Sequence, residues 1–526
     1  MKNLILAFIF AFLPIIIHAQ MILEWQNALG GNSYETAYSV QPTNDSGYIV
    51  AGYALSSNNG DVQGAHGGGD FWVVKLSLAG DIQWQKALGG SSTELANAVQ
   101  QTTDGGYIVA GKTNSNNGDV SGNHGDMDYW VVKLSSTGMM EWQKTLGGSS
   151  ADEGNDIQQT SDGGYIIAGK SVSIDGDVTG NHGYFDFWVV KLTTTREIEW
   201  QRSIGGSNGS SKAYFIRQTT DDGYIVCGES NSSNGDMSGN HGSNDFCVVK
   251  LNSSGDILWQ KSLGGTGTDA AYSAQETLDG GYIVVGTTGS GNTGQVLGVH
   301  GGFDIWVVKL SATGNLQWQK ALGGSDEDYG RIVLQRDNGD YLVAGSILSN
   351  NGDIQGNNGS LDIWVVTLNQ AGQIKSQKTF GGTGIEWVYS MKQSKDGGLI
   401  VAGYTESNDG DVSGNHGEAD FWVVKLSSLS SSTSVPQTLP LQISPNPTQQ
   451  SITLNIPTLS AVVSTEAGQE TNFTISITNL LGQQLHQQIL SNDETINTAD
   501  LPNGAYLINA TTSSGKIYTG KFIKQD

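Results

Sequence analysis

Short runs of alternating or continuous apolar residues recur along most of the chain, each closed by Gly, Asn, Asp or Ser. Trp72-Val73-Val74-Lys75-Leu76 and Tyr48-Ile49-Val50-Ala51 have strand length and β-branched character, and no helical period replaces them. The pattern predicts antiparallel strands joined by tight turns such as Asp104-Gly105-Gly106 and Ser135-Ser136-Thr137-Gly138.

The runs repeat. The W-V-V-K-L slot falls at Trp72, Trp130, Trp188, Cys247, Trp306, Trp364 and Trp422, at steps of 58, 58, 59, 59, 58 and 58. A W-Q-K slot carries Trp25, Trp84, Trp142, Trp200, Trp259 and Trp318, with Ser376 in the seventh position. A G-Y-I-V-A-G segment begins at Gly47, Gly106, Gly164, Gly223 and Gly281, with Asp340-Tyr341-Leu342 and Gly398-Leu399-Ile400 as variants. A further strand, such as Ala96 to Thr102, makes four per repeat.

Seven such units predict an all-β, seven-bladed β-propeller over residues 20–426, in preference to a linear β-solenoid. The first repeat opens with a lone strand at Leu23 to Ala28, and the last stops at Leu426 without its counterpart. Pairing the two closes the ring and hides two sheet edges. Twelve of the thirteen Trp occupy repeat slots and are expected to pack between blades; Trp387 is the exception and is a ligand-stacking candidate.

Composition sharpens this picture. With 73 Gly, 8 Pro and 15% charged residues, the chain suits turns and strands. A formal net charge of -25 excludes a nucleic-acid partner, since few cations are available to displace phosphate counterions. Lys2, the apolar run Leu4 to Ile17 and Ala19 read as a signal peptide over residues 1–19, and no later stretch is apolar enough to form a transmembrane helix. The two cysteines, Cys227 and Cys247, fall on neighbouring predicted strands of the fourth repeat, where a disulfide would replace the missing Trp packing; two free buried thiols are the alternative.

Candidate chemistry lies in the longest loop, N-G-D-x-x-G-x-H-G-x-x-D. It holds His66, His124, His182, His241, His300 and His416, six of the eight histidines, with Asn358 in the remaining copy. Asp61, Asp119, Asp177, Asp236, Asp353 and Asp411 open it, with Gln295 in the fifth copy, and Asp70, Asp128, Asp186, Asp245, Asp304, Asp362 and Asp420 close it. Local hydrogen bonding that holds the loop is one reading, and a binding face is the other. Glu35, Glu94, Asp152, Asp269, Asp328 and Glu386, with Ser210 as outlier, precede each first strand and predict an acidic rim. That rim is a solvated cap or a cation site; no cofactor is required, and calcium is the metal the oxygens would suit.

Enzymatic use needs unlike residues converging from different blades. Arg217 and Arg331 lie on predicted inner strands without a third partner, and T-x-D-G-G-Y turns such as Thr102 to Tyr107 only weakly resemble sialidase Asp-boxes. The expectation is a non-enzymatic binding or adhesion scaffold with a glycan or protein ligand. A multivalent lectin and a sialidase-like glycoside hydrolase are the alternatives.

Residues 427–440 form a Ser/Thr-rich linker, and from Leu441 to Asp526 short strands predict a small Ig-like sandwich. Ile443-Ser444-Pro445-Asn446-Pro447, Ile475-Ser476-Ile477-Thr478-Asn479-Leu480-Leu481-Gly482-Gln483, Leu501-Pro502-Asn503-Gly504-Ala505-Tyr506-Leu507 and Lys521-Phe522-Ile523-Lys524 resemble the type A C-terminal sorting domain of the type IX secretion system. The resemblance implies a Bacteroidota-type bacterium, Sec export, partnership with the type IX machinery and an extracellular or outer-membrane surface location. The D-G-G-Y-I-V-A-G repeats look like those of surface propellers that travel with such domains.

Overall fold

The repeat folds as four antiparallel strands in chain order, exemplified by Glu35–Pro42, Tyr48–Ala54, Asp70–Leu76 and Ile82–Leu88. The structure, a computed structural model, describes residues 21–427, 439–440, 442–455, 472–479, 484–491, 495–512 and 517–525. The expected signal segment and most of the expected linker lie outside them. The chain divides into two compact units between Leu429 and Ser430. Among the described residues there is no helix, so none is long and apolar enough to cross a membrane.

The first unit contains seven four-stranded sheets. Third strands are buried throughout and second strands at all but one position at most, which is why their sequences read as largely apolar runs, whereas fourth strands keep several partly exposed positions. Neighbouring sheets share cores. Phe71 and Val73 pack with Trp130 and Val132 of the next sheet, and Phe71 meets Trp130 at a ring separation of 4.5 Å. The seventh sheet does the same with the first: Ile400, Phe421 and Val423 share a core with Val50 and Trp72, and Trp72 lies 4.5 Å from Phe421.

The seventh sheet takes its fourth strand from the other end of the chain. Leu23–Leu29 pairs antiparallel with Asp420–Leu426, in the place that Ile82–Leu88 holds beside Asp70–Leu76. The side chains repeat too. Trp422 Nε1 donates to Gln26 Oε1 at 2.8 Å, as Trp130 does to Gln143 at 2.9 Å. The W-Q-K tryptophans pack across to the next sheet, with Trp84 edge-on to Tyr107 at 5.7 Å.

The expected Cys227–Cys247 disulfide is not formed, and both thiols are free and buried. Register is the reason. Cys247 stands opposite Gly228 and Cys227 opposite Val248, so the two side chains leave the sheet on opposite faces and enter different cores. The missing indole is replaced by Met237, whose Sδ lies 3.2 Å from Cys247 Sγ, where other repeats carry the smaller Val62, Val120 or Ile354.

The second unit has a five-stranded and a three-stranded sheet among its described residues. Ile452, Ile475, Ile477, Ile496, Tyr506, Ile508 and Phe522 form its core. Leu439–Pro440, expected in the linker, instead pairs in parallel with Tyr518 and Thr519.

Candidate functional site

The long loops are held by the residues that marked them in the sequence. The main-chain N–H at the opening position donates to a Gly carbonyl before the first strand in all seven copies, as Asp61 does to Gly30 at 2.8 Å and Asp236 to Gly205 at 2.8 Å. The Asp61, Asp119, Asp177 and Asp411 carboxylates accept the N–H of that same glycine at 3.2–3.3 Å. Asp353 instead lies 3.8 Å from His300 Nε2 and 3.9 Å from Lys320. Gly60, with φ of 58°, passes so close to Gly30 that a Cβ would lie 2.1 Å from its carbonyl oxygen.

At the loop's end, one carboxylate oxygen of each closing Asp accepts the main-chain N–H four residues back. The donors are His66, His124, His182, His241, His300, Asn358 and His416, at 2.7–3.0 Å. The ring Nδ1 of His124, His182, His241 and His416 meets the same oxygen at 2.6–2.7 Å, and that of His300 at 3.4 Å. His66 Nδ1 approaches Asp70 Oδ1 at 3.6 Å. These side chains therefore serve the loop.

The acids expected on a solvated rim are fully buried. Glu35, Glu94, Asp152, Asp269, Asp328 and Glu386 each accept a Gly N–H from the preceding turn at 2.7–2.9 Å, and each accepts a further hydroxyl or main-chain donor, although Asp152 Oδ1 is left without a partner. They are strand-start caps. The outlier is Ser211, because the fourth turn is one residue longer than its neighbours and moves the slot from Ser210. No group of three or more His, Cys, Asp or Glu among the described residues is placed to hold a metal.

Each cap faces the closing Asp of the preceding sheet across a glycine. A Cβ on Gly89 would lie 2.2 Å from Asp70 Oδ1 and 2.3 Å from Glu94 Oε2, so only glycine fits there. The Oδ1 atoms of Asp70, Asp128, Asp186, Asp245, Asp304, Asp362 and Asp420 are buried without a hydrogen-bond partner. Burial raises these carboxyls, and the adjoining His lowers them. Asp362, which has Asn358 in place of the ring, is pushed up to about 6 by burial and by Glu386 and Asp411.

The T-x-D-G-G-Y turns are pins as well. Lys133, almost fully buried, reaches Asp104 at 2.9 Å, and against the upward pull of burial, Thr102, Lys133 and the Gly106 N–H hold Asp104 down at about 2.

Uniformity ends at the first strands. Each carries a β-bulge, and the bulged residues are Tyr38, Asn97, Asn155, Tyr214, Tyr272, Arg331 and Tyr389. A bulge re-aims the side chain it frees. All seven of these residues line one cavity of about 110 Å³, together with Asp156, Arg217 and Lys392. Arg217 meets Asp156 at 2.5 Å, and the Ile157 and Ile216 N–H groups also donate to that carboxylate, at 2.9 and 3.0 Å. Lys392 is the third cation beside Arg217 and Arg331, one that the strand pattern did not single out. It fills the slot of Gln41, Gln100, Gln158 and Gln275, and burial together with the Arg217 charge brings it down to about 8. Trp387 is half-buried beside this group, 5.0 Å from Tyr329 and 6.3 Å from Tyr389.

Residues 442–525 match the family described as the secretion system C-terminal sorting domain. This is the type IX sorting domain; it implies interaction with the secretion machinery and indicates export to the cell surface or extracellular space. No curated protein matches the chain. Among solved structures, an extracellular domain from B. thetaiotaomicron assigned to a hybrid two component system is similar at 10% identity and a TM-score of 0.42, covering 95% of this chain and 58% of that one. Puromycin hydrolase gives 10% identity, a TM-score of 0.44, and 93% and 60% coverage. An ulvan lyase of polysaccharide lyase family PL25 gives 11%, 0.44, and 76% and 97%. This chain thus spans less than two thirds of the first two.

Proposed function

We propose that this exported chain is a closed seven-bladed β-propeller over residues 20–426, followed by a sorting domain over 441–526, and that it binds a ligand in its central channel without transforming it. The pairing of Leu23–Leu29 with Asp420–Leu426 and the core shared by the seventh and first sheets support closure. The observation that carries the binding role is the set of seven bulges, which bring unlike side chains from every sheet into one cavity on an otherwise uniform frame. Binding rather than catalysis fits Asp156, the carboxylate in the lining, because Arg217, Ile157 and Ile216 already occupy its lone pairs. A multivalent lectin using the loops is less well supported, since the loop His and Asp side chains bond to each other.

Glycan-array binding and protein pull-down with the purified full chain, followed by stoichiometry on any hit, test the proposal. One ligand per chain, lost in Tyr389→Ala, is expected. Several ligands per chain, unaffected by that substitution, would return the binding role to the loops; turnover of the ligand would overturn the non-enzymatic reading.

A further inference from the structure

We propose that the channel is an oxyanion site, built to receive a single carboxylate or sulfate group of its ligand. This rests on the channel being the binding site and adds the chemistry it reads. In a chain of formal net charge -25, three cations from three different sheets, Arg217, Arg331 and Lys392, line one cavity. Such a concentration runs against the charge of the rest of the molecule.

The three are not equally engaged. Arg217 is committed to Asp156 and to the Ile216 carbonyl, both at 2.5 Å. Arg331 makes contacts through its faces: its guanidinium lies 4.0 Å over the Tyr272 ring, with Trp387 at 5.3 Å and Tyr389 at 5.7 Å. Aromatic faces hold a guanidinium plane without using its N–H donors, which lie in that plane. Arg331 Nε is buried and has no hydrogen-bond partner. Lys392 makes no ion pair or hydrogen bond among the described residues and feels the Arg217 charge as well as that of Asp156. Cations held in a protein interior without partners are unfavourable, and an entering oxyanion would pair with them.

Size narrows the ligand. A cavity of about 110 Å³ falls well below the roughly 300 Å³ at which small-molecule pockets begin, so it takes one group with a few waters. That group is either a small free anion or the acidic substituent of a sugar whose ring stays outside.

Isothermal titration calorimetry of the full chain with glucuronate, glucose and sodium sulfate, at constant ionic strength, tests this on wild type, Arg331→Gln and Lys392→Gln. Glucuronate is expected to bind one per chain, at least about tenfold more tightly than glucose, and each substitution is expected to weaken it by about tenfold or more. Displacement of glucuronate by sulfate assigns the site to the bare anion, and binding that sulfate does not displace assigns it to the acidic sugar; both support an oxyanion site. Equal binding of glucose and glucuronate, unchanged in both cation variants but lost in Tyr389→Ala, overturns the oxyanion chemistry and leaves the channel reading standing. No binding of any of the three probes also overturns the oxyanion chemistry, while the stoichiometry experiment decides the channel reading by itself. Melting curves check folding. Where a Gln variant fails to fold, Arg331→Lys keeps the charge, loses the planar fork and is expected to weaken glucuronate to a smaller degree.

Discussion

Trp422 donates its indole N–H to Gln26 at 2.8 Å, across 396 residues of sequence, and reproduces the Trp-to-Gln bond made within other repeats. If the two ends of the first unit are joined as firmly as any repeat is joined within itself, Gln26→Ala and Gln143→Ala should cost the same. Leaving a buried indole N–H unpaired costs about 1–2 kcal/mol. Urea unfolding of the two variants checks this, and a silent Gln26→Ala beside a costly Gln143→Ala would contradict it.

Asp362 contributes one part of the pH dependence. Its carboxyl lies up at about 6 in the folded protein, against roughly 3.9 when unfolded. Between those values the folded state holds a proton that the unfolded state releases, so this group favours folding as pH falls from about 7 to 4 and opposes it above. Asp362→Asn removes the charge beside Glu386 and retains an acceptor for the Asn358 N–H. It should stabilise by about 1–2 kcal/mol at pH 7 and by almost nothing at pH 4. Paired denaturant titrations at the two pH values measure this, and an equal effect at both would refute the assignment.

A second set of carboxylates acts with the opposite sign. Asp45, Asp104, Asp162, Asp221 and Asp279 are held at about 2 by Thr, Lys and Gly donors acting against burial. Their contribution is present above about pH 4 and is lost as pH falls toward 2. Each Asp is more than half exposed, so water screens the pair, and Asp104→Asn should cost less than about 1 kcal/mol at pH 7. At pH 2 the variant and wild type should unfold alike by circular dichroism.

Cys247 and Met237 together occupy the space that Trp and a smaller residue share elsewhere. Cys247→Trp alone overfills the site and should cost about 1–3 kcal/mol, whereas Met237→Val with Cys247→Trp should return to within about 1 kcal/mol of wild type. A double-mutant cycle that shows no coupling would reject this. A thiol reagent should find two reactive groups in the unfolded, unreduced chain and none in the folded one, where burial pushes both thiols up.

The frame of repeated four-stranded sheets was legible in the sequence because its residues are constant: Trp130, Lys133 and Gln143 stand at fixed intervals and perform the same bonding in repeat after repeat. The candidate site was less legible for the converse reason. Arg217, Arg331 and Lys392 break the repeat; the two arginines stood out on predicted inner strands, but comparison of constant positions passes over Lys392, their third partner. Aligned first strands do show Arg217 and Lys392 in a Gln slot, a signal carried by the amino-acid pattern alone. Their convergence carries no such signal, because bulges at Tyr272, Arg331 and Tyr389 aim the side chains and no local motif marks a bulge. The cysteines failed on parity. Neighbouring strands suggested a bond, but a register placing Cys247 against Gly228 turns the thiols apart. The loop histidines were conspicuous through repetition, and repetition marked scaffolding.

The strand Leu23–Leu29 also sets an order of events. Its partner, Asp420–Leu426, is the last strand of the unit to be synthesised, so the earliest strand of the unit must wait for the latest before the seventh sheet is complete. Contacts of such sequence separation form slowly. Until then the chain carries two unpaired strand edges, one at each end, and any truncation short of Leu426 leaves both exposed for good.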